Sequence, residues 1–123
     1  DKYRAGSHGR YRAEVREMHE DYLRPQENGS HTDCDYLCVN SSDYVFAAVS
    51  ETPFAFNVSE YTQEELTKKA HSYEIEPSGM TVVCLDYAQN GIGSNSCGPE
   101  LLEKYRLDKK NFKFEMKMIF KEQ

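Results

Sequence analysis

A chain of 123 residues with 38% apolar residues, nine Tyr and six Phe carries enough material for one modest core, so it reads as a single folded domain. Its formal net charge of −6 excludes a nucleic-acid partner, because phosphate binding needs a basic stripe and the lysines here are interspersed with acids. No window approaches the roughly 18 apolar residues of a membrane span, and the opening Asp1-Lys2-Tyr3-Arg4 lacks both the apolar run of a secretion signal and a starting Met, which reads as a piece of a longer, non-secreted protein.

Residues 1 to 21 set Arg4, Arg10, Arg12 and Arg16 against Glu14, Glu17, Glu20 and Asp21. Val15 and Met18 have the spacing of a helical turn, but the stretch reads as an irregular arm or edge strand with a solvated arginine face. Asp35 to Val39 and Asp43 to Val49 are predicted strands, joined by the polar turn Asn40-Ser41-Ser42. A further strand begins at Pro53 and places Phe54, Phe56 and Val58 on one face.

One helix is expected near 62–71. Thr62-Gln63-Glu64-Glu65 is a capping box, in which the Thr62 hydroxyl accepts from the Glu65 amide and the Glu65 carboxylate reaches back to the Thr62 amide. Leu66 and Ala70 share one side, and Lys68, Lys69 and His71 lie toward the C-terminal end, where positive charge suits the dipole. Ser72 to Glu76 is predicted as a short strand ended by the turn Pro77-Ser78-Gly79, and Met80 to Leu85 as a central strand buried on both faces. Pro99 to Tyr105 reads as a helical turn or an irregular connection. Phe112, Phe114, Met116, Met118 and Phe120 alternate with polar residues as in an antiparallel strand with one wet face, Ile119 being the exception on the polar side. The fold class is mainly β, antiparallel, with one small helix.

A convergent catalytic set is not legible. Glu27, Glu51, Glu60, Glu64 and Glu65 read as solvated acids, and a glycosidase pair must stand roughly 5 to 9 Å apart in space, which sequence does not fix. His8, His19, His31 and His71 have no ligand-like spacing. Cys34 and Cys38 on one strand would lie about 13 Å apart at ~3.3 Å per residue, beyond the reach of a disulfide, so Cys34, Cys38 and Cys84 read as small buried thiols in a reducing cytoplasm. The Asn-x-Ser matches at Asn28, Asn40 and Asn57 matter only in a secreted protein.

Two turns stand above this background. Glu27-Asn28-Gly29 is a turn whose glycine takes positive φ. The run from Asn90 through Gly91, Gly93, Ser94, Asn95, Ser96, Cys97 and Gly98 to Pro99 is a loop whose glycines let backbone and short polar side chains approach a ligand. Cys97 lies there without an evident His or helix N-terminus to activate it, so it suits contact with a ligand rather than chemistry.

These features share an order with the last part of the glycoside hydrolase family 2 β-galactosidases: Pro25-Gln26-Glu27-Asn28-Gly29 then His31-Thr32-Asp33, Phe54 to Ser59 leading into Tyr61 to Leu66, Leu85-Asp86, Gly91 to Pro99, and the closing Tyr105-Arg106-Leu107. The resemblance covers essentially all of residues 1–123. It implies one C-terminal sandwich domain, a partial supersandwich of the galactose-mutarotase-like type, packed against a catalytic barrel in the same or a companion chain. In that family the barrel supplies both catalytic glutamates and the Mg²⁺ and Na⁺ sites, so no catalytic residue and no metal ligand is expected here. A loop of the domain offers a side chain to the β-galactoside, a tryptophan in some members; Cys97 stands at that position here, with Asn95 and Ser96 as neighbours at the pocket mouth. A thiol offers less stacking area than an indole. The alternatives are an autonomous carbohydrate-binding module and a subunit-assembly domain. Because the family's domain is about twice this size, an uncovered sheet face or edge and self-association are expected.

Overall fold

The computed structural model describes residues 9–21, 29–90 and 99–123. Its organising element is one long strand, β2 (Tyr44–Ser59). Strand β1 (His31–Asn40) pairs antiparallel with it along one edge, from Asn40↔Val45 to His31↔Phe56. On the other edge, β3 (Val82–Asp86) pairs with Ala55 to Ser59, and β4 (Lys117–Glu122) with Tyr44 to Val49. The described sheet therefore has four strands, all antiparallel, with β3 and β4 end to end beside β2. This is the mainly β, antiparallel architecture with one small helix read from the sequence.

The β1–β2 hairpin closes where the polar turn was expected. The Ser41 amide donates to the Tyr44 carbonyl at 2.9 Å, and the Ser41 hydroxyl accepts from the amides of Asp43 and Tyr44 at 3.3 and 3.0 Å. Further along, the register shifts between His31 and Cys34 and again between Cys34 and Tyr36. Asp33 takes φ +55° at the first shift, a left-handed conformation that a short polar residue tolerates and a branched one does not. Pro53 was expected to begin a strand; it lies inside β2 instead. It falls in the span opposite these shifts, between Val49 and Phe54, where the lack of an N–H does least harm to the ladder.

The buried core is Leu37, Ala48, Phe54 and Val58, ringed by Val15, Met18, Cys34, Val39, Phe46, Phe56, Val83, Leu85, Phe114 and Met116. Residues 9–21 contribute through a 3₁₀ turn, Val15–Met18, rather than an irregular arm or edge strand. The Glu17 amide donates to the Glu14 carbonyl and its carboxylate accepts from the Glu14 amide, both at 3.0 Å, so the turn presents Val15 and Met18 together to the sheet.

Three further expectations need correction. Met80 to Leu85 is not a central strand: β3 begins at Val82, all five of its residues are only half-buried, and among the described residues it pairs with β2 alone. The central strand is β2, whose length lets it serve three partners. Ser72 to Glu76 is not a strand; Ser72–Glu74 forms a 3₁₀ turn because the Glu74 carboxylate collects the amides of Ala70 and His71 at 3.1 Å each. Tyr73 there is 82% exposed, so no apolar face holds the segment extended. In the 112–120 segment, only Lys117 onward joins the sheet. Phe114 and Met116 reach the core, but Met118 and Phe120 are 63% and 66% exposed. They stand opposite Ala48 and Phe46, hence on the core side of the sheet, at an end that no described element covers. Tyr44 stacks on Phe120 at 5.1 Å there.

Helix α1 (Gln63–Lys68) forms as expected, with the Thr62 hydroxyl accepting from the Glu65 amide at 3.1 Å. The reciprocal half of the box is redirected. The Glu65 carboxylate accepts from the Glu76 amide at 3.0 Å and pairs with Lys69 at 3.6 Å, tying the helix to the following segment. His71 does not end the helix but stacks on Tyr73 at 5.2 Å. The turn at Pro77-Ser78-Gly79 is present: Gly79 has φ +75°, and Ser78 donates its amide and hydroxyl to the Glu60 carbonyl at 2.8 and 2.9 Å. Cys34, Cys38 and Cys84 are free. Cys34 and Cys84 are half-buried, whereas Cys38, expected inside, is exposed, because Leu37 and Val39 on either side of it take the core face. Among the described residues no helix is long and apolar enough to cross a membrane.

Candidate functional site

The expected substrate contacts, Asn95, Ser96 and Cys97, fall within 91–98 and lie outside the described residues, as do Glu27 and Asn28 of the first turn. The residues that flank these two stretches are described, and the fold brings them together. Gly29 has φ +74°, and a Cβ built on it would meet the Met18 carbonyl at 3.3 Å, which explains a glycine at that place. Next to it, Ser30 is buried, 8% exposed, and its hydroxyl donates to the Phe56 carbonyl at 3.4 Å. The Gln89 side-chain amide donates to that same hydroxyl at 3.0 Å and to the Asp86 carboxylate at 3.3 Å. A short polar relay thus joins the chain just after β3 to the chain just before β1.

The same corner is fixed from below by aromatic rings. Tyr87 stacks on Phe112 at 4.9 Å and meets Phe114 at 5.4 Å, which pins the approach to β4 against the end of β3. Downstream of the glycine-rich run, Glu103–Tyr105 forms a 3₁₀ turn. The Arg106 guanidinium reaches back from it, donating to the Leu101 carbonyl at 2.7 Å and to the Glu100 carboxylate at 2.7 Å. The next residue, Leu107, donates its amide to the Asn90 side-chain carbonyl at 2.9 Å. Ser30, Gln89 and Arg106 were not singled out as site residues by sequence reasoning, although Arg106 belongs to the closing Tyr105-Arg106-Leu107 motif.

Elsewhere the chemistry-bearing side chains are scattered. His19 packs on Tyr61 at 4.8 Å and His31 stacks on Phe56 at 4.9 Å, on different elements from His71. Among the described residues no group of three or more His, Cys, Asp or Glu is placed to hold a metal ion.

A family model described as "Beta galactosidase small chain" matches residues 1–118. The chain belongs to that family. Among curated relatives it is 48% identical over 120 residues to a β-galactosidase of Actinobacillus pleuropneumoniae, covering 98% of this chain and 12% of that protein. A β-galactosidase of Staphylococcus xylosus is 39% identical over 99 residues, 80% of this chain and 10% of its own length. One from Kluyveromyces lactis is 37% identical over 110 residues, with 87% and 10% covered. This member of the β-galactosidase small-chain family thus spans about a tenth of the length of the curated relatives it matches.

Proposed function

We propose that the chain is the C-terminal sandwich portion of a cytoplasmic β-galactosidase, and that its share of the reaction is to border the sugar pocket with the 91–98 run. The observation that carries this reading is the identity of 48% across 98% of the chain to a β-galactosidase of which it spans only 12%. The parent reaction is retaining hydrolysis of a terminal β-D-galactosyl bond, as in lactose. One carboxylate protonates the leaving oxygen while a second attacks the anomeric carbon; the first then activates water against the galactosyl-enzyme. Both carboxylates, and the Mg²⁺ and Na⁺ sites, belong to the barrel of the same or a companion chain. Cys97, with Asn95 and Ser96, acts by orienting and enclosing the β-galactoside, which lowers the barrier through position rather than bond-making. The closeness of the flanks at Ser30, Gln89 and Asn90 supports this division of labour, because it gives the run a fixed base.

In the parent enzyme, Cys97→Ala raises KM for o-nitrophenyl galactoside with little change in kcat; an unchanged KM favours a purely architectural role. The isolated chain does not hydrolyse the same substrate, and turnover by it overturns the proposal. Binding of galactose by the isolated chain in titration calorimetry favours an autonomous binding module instead. The uncovered apolar end at Tyr44, Met118 and Phe120 makes the isolated chain self-associate. Phe120→Lys shifts it toward monomer in light scattering.

A further inference from the structure

We propose that the outer edge of β1 is an interface at which two copies of this chain pair, strand against strand, about a two-fold axis beside Cys38. Among the described residues β1 ends the sheet, with β2 alone beside it. The two edges of β1 carry different backbone groups. The Ser41 amide donates to the Tyr44 carbonyl, so in an antiparallel ladder Val39↔Phe46 and Leu37↔Ala48 are the pairs that exchange hydrogen bonds, and the residues between them are not. The N–H and C=O groups of Tyr36, Cys38 and Asn40 therefore point away from β2, along an edge that is open among the described residues. Such a row of amides and carbonyls is a template for another strand.

The residues of the edge select a second copy as that strand. The regular ladder runs from Tyr36 to Asn40, between the register shift and the Ser41 turn, and its midpoint is Cys38. An antiparallel copy that uses the whole stretch pairs Cys38 with its counterpart and Tyr36 with Asn40, giving about six hydrogen bonds. It also sets Leu37 opposite Val39 on the core side, so the apolar face continues across the axis. No charge meets a like charge there, since Asp35 falls opposite Ser41. An axis moved to Val39 forfeits bonds and sets Asp35 opposite Asp43; one moved to Leu37 sets Asp35 opposite the apolar Val39. From Tyr36 to Asn40 the edge has no Lys and no Pro to discourage addition, whereas β4, on the far side of β2, carries Lys117 and Lys121, both exposed. The undefended edge is the one that is self-complementary.

The experiment treats the full parent β-galactosidase with a short bismaleimide at low protein concentration and identifies the linked peptides by mass spectrometry. A link from Cys38 to Cys38 arises only between two copies. It is the expected product, because the thiol is exposed and hydrogen-bonded partners across an antiparallel pair stand about 5.5 Å apart from Cα to Cα. Asn40→Pro removes an outward N–H without touching a bond to β2, and it lowers the yield of that link by about tenfold or more, since the pair loses two hydrogen bonds. Tyr36→Pro does the same from the other end of the stretch, so either variant that keeps the parental melting temperature serves. A parent enzyme whose Cys38 forms no link to itself overturns the proposal. So does a link from Cys38 to a different peptide, which puts another strand of the parent on this edge, and so does a well-folded proline variant that links at the parental yield.

Discussion

The two halves of β2 carry the same kind of apolar alternation but live in different surroundings. From Phe54 to Val58 the strand is enclosed: Phe54 is 1% exposed and Val58 3%, under the Val15–Met18 turn and the Phe114 and Met116 side chains. From Tyr44 to Phe46 the same face continues through Phe120 and Met118, yet the Phe120 ring and the Met118 thioether stand 66% and 63% exposed. Burial follows from cover, not from pattern. Among the described residues the apolar stripe therefore runs past its cover, leaving an exposed apolar patch at that end.

The sharpest way to break this contrast is to truncate one ring from each half. Phe54→Ala costs about 3–5 kcal/mol by urea unfolding, the range for a fully buried aromatic. Phe120→Ala costs under about 1 kcal/mol in the isolated chain, in line with surface substitutions. Equal losses at the two positions would erase the distinction drawn here. A smaller effect is expected at the bulge that separates the halves. Asp33→Ile forces a branched residue into φ +55° and destabilises by about 1–2 kcal/mol, while Asp33→Asn is nearly neutral.

The smallest effect belongs to Cys34, on the enclosed side. Burial, then the neighbouring Asp33 and Asp35 carboxylates, pushes its thiol above the usual range. The folded chain therefore binds that proton more firmly than the unfolded one. Stability contributed by Cys34 is intact below the ordinary thiol pKa and declines as pH rises through and above it. Alkylation of Cys34 accordingly climbs at higher pH in the folded chain than in urea. Coincident pH profiles would show that the enclosed half is no drier than the rest.

What was legible in the sequence was local and periodic. The Ser41 turn, the Thr62 cap, the Gly79 turn and the Phe54-Phe56-Val58 face each depend on neighbours within a few residues, and each is found where it was expected. What failed depends on partners far along the chain. Nothing in Met80 to Leu85 reveals that, among the described residues, it meets one strand and not two, and nothing in Met118 or Phe120 tells whether a covering element exists. Ser72 to Glu76 failed for another reason: the Glu74 carboxylate outcompetes a ladder by capturing amides three and four residues back. For the candidate site, the glycines point to the run in the sequence, and its residues 91–98 lie outside the described residues. The Ser30–Gln89 and Asn90–Leu107 bonds beside it were not legible, since they join residues that only the fold makes neighbours.

The length of β2 has a consequence for how the chain acquires its structure. Every ladder among the described residues runs through this one strand, which meets β1 across a short turn but pairs Tyr44 with Glu122 far along the chain. The hairpin is expected to form early and the last strand to dock late, because the latter closes a far longer segment at a greater entropic cost. Amides of Leu37 to Asn40 should gain protection from hydrogen exchange first during refolding, and those of Lys117 to Lys121 last.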